Sequence, residues 1–304
     1  RLEGNSLYKA YKYKLSDFEE FKRKYSREIK EESFVFPGNL GISLGIDETG
    51  LFGGDLYTIL LNKEKHNGKG SVVALVRGTR STKIVNAVNG AIPFEKRMII
   101  HDITLDFAPN MDWAARQIAV NGMRIYDRFH LERLLFDAVQ SLRVAYRWEA
   151  LEEEESGRET RTYSNGDTKR QLLARSRYLL FKTKSRWSSQ QAKRAAILFR
   201  EFPKIKKAYE LVMEFKDFFR LKAQEAKLQI EMWVKRATTS GIKEFITLGK
   251  TVKNHLGGII NYFYEKQTNA LLENFNGKIK QLKREVRGTR DRAFFFFRLF
   301  KLFA

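Results

Sequence analysis

A chain of 304 residues can bury a full core, as one compact unit or as two. Its 57 Lys and Arg against 36 acids give a formal charge of +21, which favours a polyanionic partner, nucleic acid first, over an anionic membrane surface or mere solubilisation. The absence of cysteine excludes disulfides and thiolate zinc sites, no apolar run reaches the ~18 residues of a bilayer span, and the scattered His66, His101, His130 and His255 form no HxxxH pair.

Arg1 is not an initiator methionine, so a fragment or processed product is expected, and the opening RLEGNSLYKAYKYKL lacks an apolar signal core, which points to the cytoplasm. Residues 15–32 read as a solvent-facing helix capped by Ser16, with acids in its first turn. After Pro37-Gly38 comes the strand GISLGID. Its alternation sets Ile42, Leu44 and Ile46 on one face and Ser43, Gly45 and Asp47 on the other. Asp47 then lies within a sheet, where a carboxylate is costly unless it meets a cation or a donor. The alternative is a turn acid beside Thr49-Gly50.

The runs LYTILLN and SVVALVRG, joined by KEKHNGKG, predict an antiparallel hairpin. Residues 79–92 add a helix. Residues 97–130 read as strand, helix, strand: RMIIHDITLD ends at Asp106, Pro109 suits the first turn of a helix over 109–120, and MRIY ends at Asp127 after an Asn121-Gly122 turn. The section therefore predicts an α/β fold with a mixed β-sheet flanked by helices. Active sites of parallel α/β sheets form at the carboxyl ends of strands, which makes Asp106 the anchor. Asp102 competes with it on the same face, but four residues at ~3.3 Å each separate the two by roughly 13 Å, so both cannot touch one metal pair.

From Leu131 the pattern turns helical, with Leu131, Leu134, Leu135, Ala138, Leu142 and Ala145 as a stripe. Glu152–Glu155 read as a solvated helix end, and SGRETRTYSNGDTKR as a polar loop. Residues 131–265 are expected to form a helical insertion of four to six helices. TNALLENFNGKIKQLKREVRGTR is amphipathic: Leu272, Phe275, Ile279, Leu282 and Val286 face a core, with Glu273, Asn276, Lys280, Lys283 and Arg287 on the polar flank. AFFFFRLFKLFA reads as a packing element against the sheet or a partner. The expected divisions are 1–39, an N-terminal helical segment; 40–130, the first part of the core; 131–265, the insertion; and 266–304, the last part of the core.

Asp47, Asp106 and Glu273, converging on one sheet edge, suit two divalent ions ~4 Å apart. Mg²⁺ (or Mn²⁺) takes such oxygen ligands and needs no histidine. Asp127, Arg128 and His130 are near-site candidates, for phosphate contact or as a helix-start hydrogen-bond cluster. Asn276, Lys280, Lys283, Arg284 and Arg287 are the candidate DNA contacts.

SLGIDE, ITLDFAPNMDWAARQ, IYDRFHLERL and TNALLENFNGKIKQLKREVRGTR, in this order, resemble bacterial insertion-sequence DDE transposases, most closely the insertion-sequence L-three family. RYLLFK at 177–182 is also similar to that family's insertion region. The resemblance implies a ribonuclease-H-like core interrupted by a large helical insertion before the last catalytic helix, with Asp47, Asp106 and Glu273 as the catalytic, metal-holding acids. It further implies cleavage at transposon ends, 3′-hydroxyl strand transfer into target DNA, self-association as a homodimer or larger assembly, and a cytoplasmic, nucleoid-associated location. Such proteins carry a Cys-rich zinc module and a helix-turn-helix ahead of the core; without them here, end recognition is expected in a missing part or a separate end-binding protein. The alternatives are a metal-dependent nuclease without strand transfer and an inactive, transposase-derived nucleic-acid-binding protein.

Overall fold

The computed structural model describes residues 9–157, 162–285 and 291–304. The chain divides into two compact units, Arg1–Asp127 with Gln267–Ala304, and Arg128–Lys266.

The first unit begins with a π-helical turn, Tyr11–Leu15, followed by two short helices, α1 (Phe18–Lys24) and α2 (Ser26–Glu31). The single solvent-facing helix expected over 15–32 is therefore broken at Tyr25. Ser16 does not cap it; its hydroxyl donates back to Lys12 O at 3.0 Å. Nor does this segment face only solvent, because Phe18 is buried against Phe294 and Phe297. Aromatic burial outweighed the charged residues around it.

Six strands follow: β1 (Ser33–Val35), β2 (Ser43–Gly50), β3 (Leu56–Asn62), β4 (Val72–Arg77), β5 (Asp102–Leu105) and β6 (Met123–Tyr126). They form one sheet in the order β1-β4-β3-β2-β5-β6. Neighbours from β1 to β2 are antiparallel, and β5 and β6 add in parallel, so the sheet is mixed as the sequence predicts. Glycines at positive φ turn the hairpins, Gly53 and Gly54 between β2 and β3 and Gly70 between β3 and β4, and Pro109 opens the helix that carries the chain from β5 to β6. β5 is shorter than the 97–106 run, because Arg97 closes a helical turn and its guanidinium donates to the carbonyls of Ile92, Gln117 and Ile118. β1 went unrecognised: three residues carry too little alternation to show.

Alternation along β2 and β3 sorts the two faces. Leu44 and Ile46 point to the face covered by α3 (Ser81–Ala91) and, beyond the turn α4 (Phe94–Arg97), α5 (Pro109–Ile118). Ile42, expected on that face too, precedes the strand and is half exposed. Tyr57, Ile59 and Leu61 point to the opposite face. Two helices that return late in the chain cover it. They are α13 (Ala270–Glu285), with Leu272, Phe275, Ile279 and Leu282 buried, and α14 (Arg292–Phe303), with Phe295, Phe296, Leu299 and Phe300 buried. Burying a phenylalanine side chain contributes about 1.5–3 kcal/mol, and the FFFF run places four on one short helix. The terminal apolar segment is thus a packing element of the sheet. Val286 and Arg287 lie outside the described residues.

The second unit is all-helical: α6 (Arg128–Glu155), α7 (Lys169–Arg175), α8 (Ser189–Glu201), α9 (Pro203–Phe218), α10 (Ala223–Thr238), α11 (Lys243–Asn254) and α12 (Leu256–Glu265). Seven described helices exceed the four to six expected. The capping boxes Thr168/Gln171 and Ser188/Gln191 start two of them, and Pro203 starts a third. Along α6, Val139 replaces the exposed Ala145 in the buried stripe. Part of the polar loop read at 156–170, residues 158–161, lies outside the described residues, as do residues 1–8. Asp167 in that loop is fully buried, held by Arg175 and by Arg194 at 2.9 Å. Among the described residues no helix is long and apolar enough to cross a membrane.

Candidate active site

β2 and β5 pair in parallel with Ser43 opposite Asp102, Leu44 opposite Ile103 and Gly45 opposite Thr104. The same offset carried two residues further brings Asp106 level with Asp47. The pairing itself ends at Gly45 and Thr104; extended to the residue after β5, at the ~4.8 Å spacing of neighbouring strands, it would set the two acids side by side. Asp47 continues the alternation of Gly45 on the face covered by α13, and Asp106 follows directly on the last residue of β5.

That helix lies close against the sheet at this point. A Cβ built on Gly45 would stand 2.2 Å from Leu272 Cδ1 and 3.1 Å from Thr104 Oγ1. One turn along, Asn276 Nδ2 donates to Asp47 Oδ2 at 3.1 Å, and lies 3.4 Å from Glu48 O. Asn276 Oδ1 is buried without a hydrogen-bond partner. Phe275 turns the other way, into the aromatic core with Phe303. Glu273 lies one turn before Asn276 on the same flank and is exposed, at the positive end of the helix dipole.

Each acid is fixed locally. Asp47 Oδ1 accepts the Glu48 N–H at 2.8 Å, leaving Oδ2 to Asn276. Asp106 Oδ1 accepts the Ala108 N–H at 2.9 Å, an Asx-type turn that leads into Pro109. Beside it, Phe107 stacks on Tyr126 with centroids 4.7 Å apart. Tyr126 donates to Asp112 at 2.5 Å, and Arg124 does so at 2.6 Å. Burial pushes the Asp112 carboxyl up, but these two donors and the Arg116 guanidinium, at 2.9 Å, together outweigh it and hold it below its ordinary value. Asn110 ties the two strand ends together, donating to Thr79 O at 2.8 Å and to Glu48 Oε1 at 3.4 Å. Sequence reasoning missed Glu48 and Asn110. Their only signal was nearness to the two acids.

The other candidates fall differently. Asp102 is buried at the far end of β5, paired with buried Lys63 at 3.2 Å and accepting from Ser43 at 2.9 Å. Asp127 is buried, and its Oδ1 accepts the Asn269 N–H at 3.0 Å just before α13, so it fixes where the Glu273 helix starts. Arg128, in the helical unit, turns to Glu132 at 2.7 Å and lies over the Phe219 ring at 4.5 Å. His130 is half-buried on α6. Lys283 is half-buried and donates to Leu51 O, whereas Lys280 and Arg284 are exposed.

Among the described residues no three carboxylates or imidazoles are drawn together as a ready cation site. The donor chemistry nevertheless fits a hard divalent ion. One carboxylate lies within β2 and another just past the end of the neighbouring β5, a third lies on the overlying helix, and the buried amide oxygen of Asn276 lacks a partner.

A mixed sheet with one acid within β2, another just past β5 and a helix laid across β2 finds its class in comparison: a family model described as a transposase matches residues 44–299. Within that class, the chain belongs to the DDE transposases of the insertion-sequence L-three family. It is 28% identical over 131 residues to the transposase for insertion sequence element IS1001 of Bordetella parapertussis, covering 43% of this chain and 32% of that one. It is 26% identical over 126 residues to the transposase for insertion sequence element IS1557 of Mycobacterium tuberculosis, covering 41% of this chain and 28% of that one. The matches thus span about a third or less of those relatives' length. No solved structure matches the chain significantly.

Proposed function

We propose that the chain is the catalytic part of a DNA transposase, with Asp47, Asp106 and Glu273 as its acids. The observation that supports this is the hydrogen bond from Asn276, on the helix that bears Glu273, to Asp47, together with the parallel β2–β5 pairing whose offset, extended past the end of β5, aligns Asp106 with Asp47. The order β4-β3-β2-β5-β6, three antiparallel strands with two parallel ones added, supports a ribonuclease-H-like reading of the core. Residues 128–266 are then a helical insertion between β6 and the Glu273 helix.

Mg²⁺ or Mn²⁺, as one ion or two, when bound would stabilise negative charge on the phosphate and lower the pKa of attacking water. The three carboxylates supply oxygen donors for it. Asn276 orients the Asp47 carboxylate, and Asn110 keeps the β2 end beside the turn after Asp106. Water attacks phosphorus at the element's end and frees a 3′-hydroxyl; that hydroxyl attacks a target phosphodiester and displaces the target's own 3′-oxygen. Lys280 and Arg284, exposed on the Glu273 helix, contact phosphates, and Arg287 is assigned the same role from its place in the sequence. Cytoplasmic action on the nucleoid, self-association and a separate end-binding protein belong to the same reading.

The test is cleavage and joining on a duplex that carries the flanking inverted repeat, with Mg²⁺, Mn²⁺ or EDTA. Metal-dependent cutting that disappears in Asp106→Asn, together with joined products, supports the reading. Cutting without joining assigns a nuclease, and an Asp106→Asn protein that still cuts removes the site.

A further inference from the structure

The helical unit contains a cleft of about 780 Å³, walled on one side by the turn Lys182-Thr183-Lys184-Ser185-Arg186 and on the other by α9. Six cations, Arg128, Lys182, Lys184, Arg186, Lys216 and Arg220, line it against two acids, Glu210 and Asp217, both on α9. Arg128 and Lys216 share Glu132, at 2.7 and 4.0 Å, and Arg220 lies 3.7 Å from Asp217. The turn differs. Lys182 reaches only the amide oxygen of Gln191, at 3.5 Å, and Lys184 and Arg186 meet no carboxylate among the described residues. All three are exposed.

A run of surface lysines is ordinarily a mobile, solvated face. This one is braced from beneath. Tyr209 OH donates to Lys182 O at 2.8 Å, and Trp187 Nε1 donates to Leu179 O at 2.8 Å. The Trp187 ring lies 5.6 Å from Tyr209, and Phe181 packs on Phe136 at 5.1 Å. Both ends of the turn are therefore pinned to the core of the unit while its cations stay unpaired. A backbone ordered before binding loses less entropy on association, so such cations bind an anion more tightly than the same residues on a loose loop. Anions spaced along a chain fit the row Lys182, Lys184 and Arg186 on one wall better than one isolated anion does.

We propose that this cleft holds the sugar-phosphate backbone of duplex DNA, as a second DNA contact carried on the helical unit. The inference rests on the proposed function, since it takes DNA as the substrate. Lys184 and Arg186 supply phosphate contacts that position the duplex and do not read its sequence.

The test uses the full chain, a labelled duplex of arbitrary sequence and EDTA to suppress cutting, with binding followed by fluorescence anisotropy across a salt series. Each neutralised phosphate adds ~0.9 to the log-log slope, so Lys184→Ala/Arg186→Ala should flatten it by about 1.8. Both side chains are exposed, so the thermal midpoint should not move, and the charge-keeping pair Lys184→Arg/Arg186→Lys should restore the slope. An unchanged slope in the alanine pair overturns the inference. So does loss of binding to phosphatidylserine vesicles with duplex affinity intact, which reassigns the cleft to a lipid surface. If the alanine pair binds as wild type while Asp106→Asn abolishes cutting, this inference fails and the transposase reading stands. If the wild type binds no duplex at all, both fail.

Discussion

Asn276 is the residue on which the candidate site turns. Its amide nitrogen reaches Asp47, while its amide oxygen is buried with no partner. A buried acceptor left unmatched costs about 1–3 kcal/mol, so the position is held for something other than stability. Asn276→Ala removes both the donor and the orphaned acceptor. Its stability should change by less than about 1 kcal/mol in chemical denaturation, since the lost bond and the relieved acceptor offset each other. Cutting should nevertheless fall at least tenfold, and more Mg²⁺ should be needed for half-maximal rate. Wild-type rates with an unaltered Mg²⁺ requirement would leave Asn276 a packing residue. Asp167 is the contrasting case, a buried acid in the helical unit that belongs to stability. Burial pushes it up, but the Arg194 and Arg175 hydrogen bonds prevail and hold it below its ordinary value. A depressed carboxyl stabilises the fold above its unfolded-state value, and that contribution is lost as pH falls through the folded-state one. Thermal midpoints measured from neutral pH downward should therefore drop more steeply in wild type than in Asp167→Asn below the ordinary carboxylate range. Parallel curves would remove the residue from the acid response.

At the scale of elements, the closest fit is between β2 and α13. Gly45 permits Leu272 to lie against the sheet, and this contact sets how near the Glu273 flank comes to Asp47. Gly45→Ala must displace a fully buried leucine, at about 1–3 kcal/mol for overpacking. We expect a lower urea midpoint and, in the folded protein, a larger loss of cutting than of duplex binding. Equal losses of both would mean that the substitution acts by unfolding alone. Much of this architecture was legible locally. Alternation around Gly45, the Gly/Asn connection after β3, Pro109 at a helix start and the i, i+3, i+7 stripe through Leu272 each depend on residues close in sequence. What stayed hidden depends on distant partners. Nothing near Asn276 reveals that it meets Asp47, nor does anything near Asp102 mark Lys63 as its partner. Lys283 reads as a phosphate contact beside Lys280, yet it turns to Leu51 O. The expected helix at 15–32 failed for the same reason, because Phe18 answers to Phe294 at the other end of the chain.

Across the whole molecule, charge and chemistry are carried by different residues. The formal charge of +21 comes from Lys and Arg spread over both units, whereas the proposed cutting depends on three carboxylates in one. Chelation should separate the two. Affinity for DNA comes mostly from neutralised phosphates and released counterions, and EDTA does not alter the cations responsible. Cutting, by contrast, requires stabilisation of a phosphorane-like transition state that carboxylates alone would repel. In EDTA the full chain should therefore bind duplex DNA with an affinity within a few-fold of that in Mg²⁺, and a log-log salt slope steep enough to report several phosphates, while cutting falls to background. Mobility-shift and cleavage gels run on the same samples would show both. Binding that vanishes with the metal would mean that the ion bridges protein and phosphate in the ground state. Cutting that survives chelation would remove the carboxylates from the chemistry.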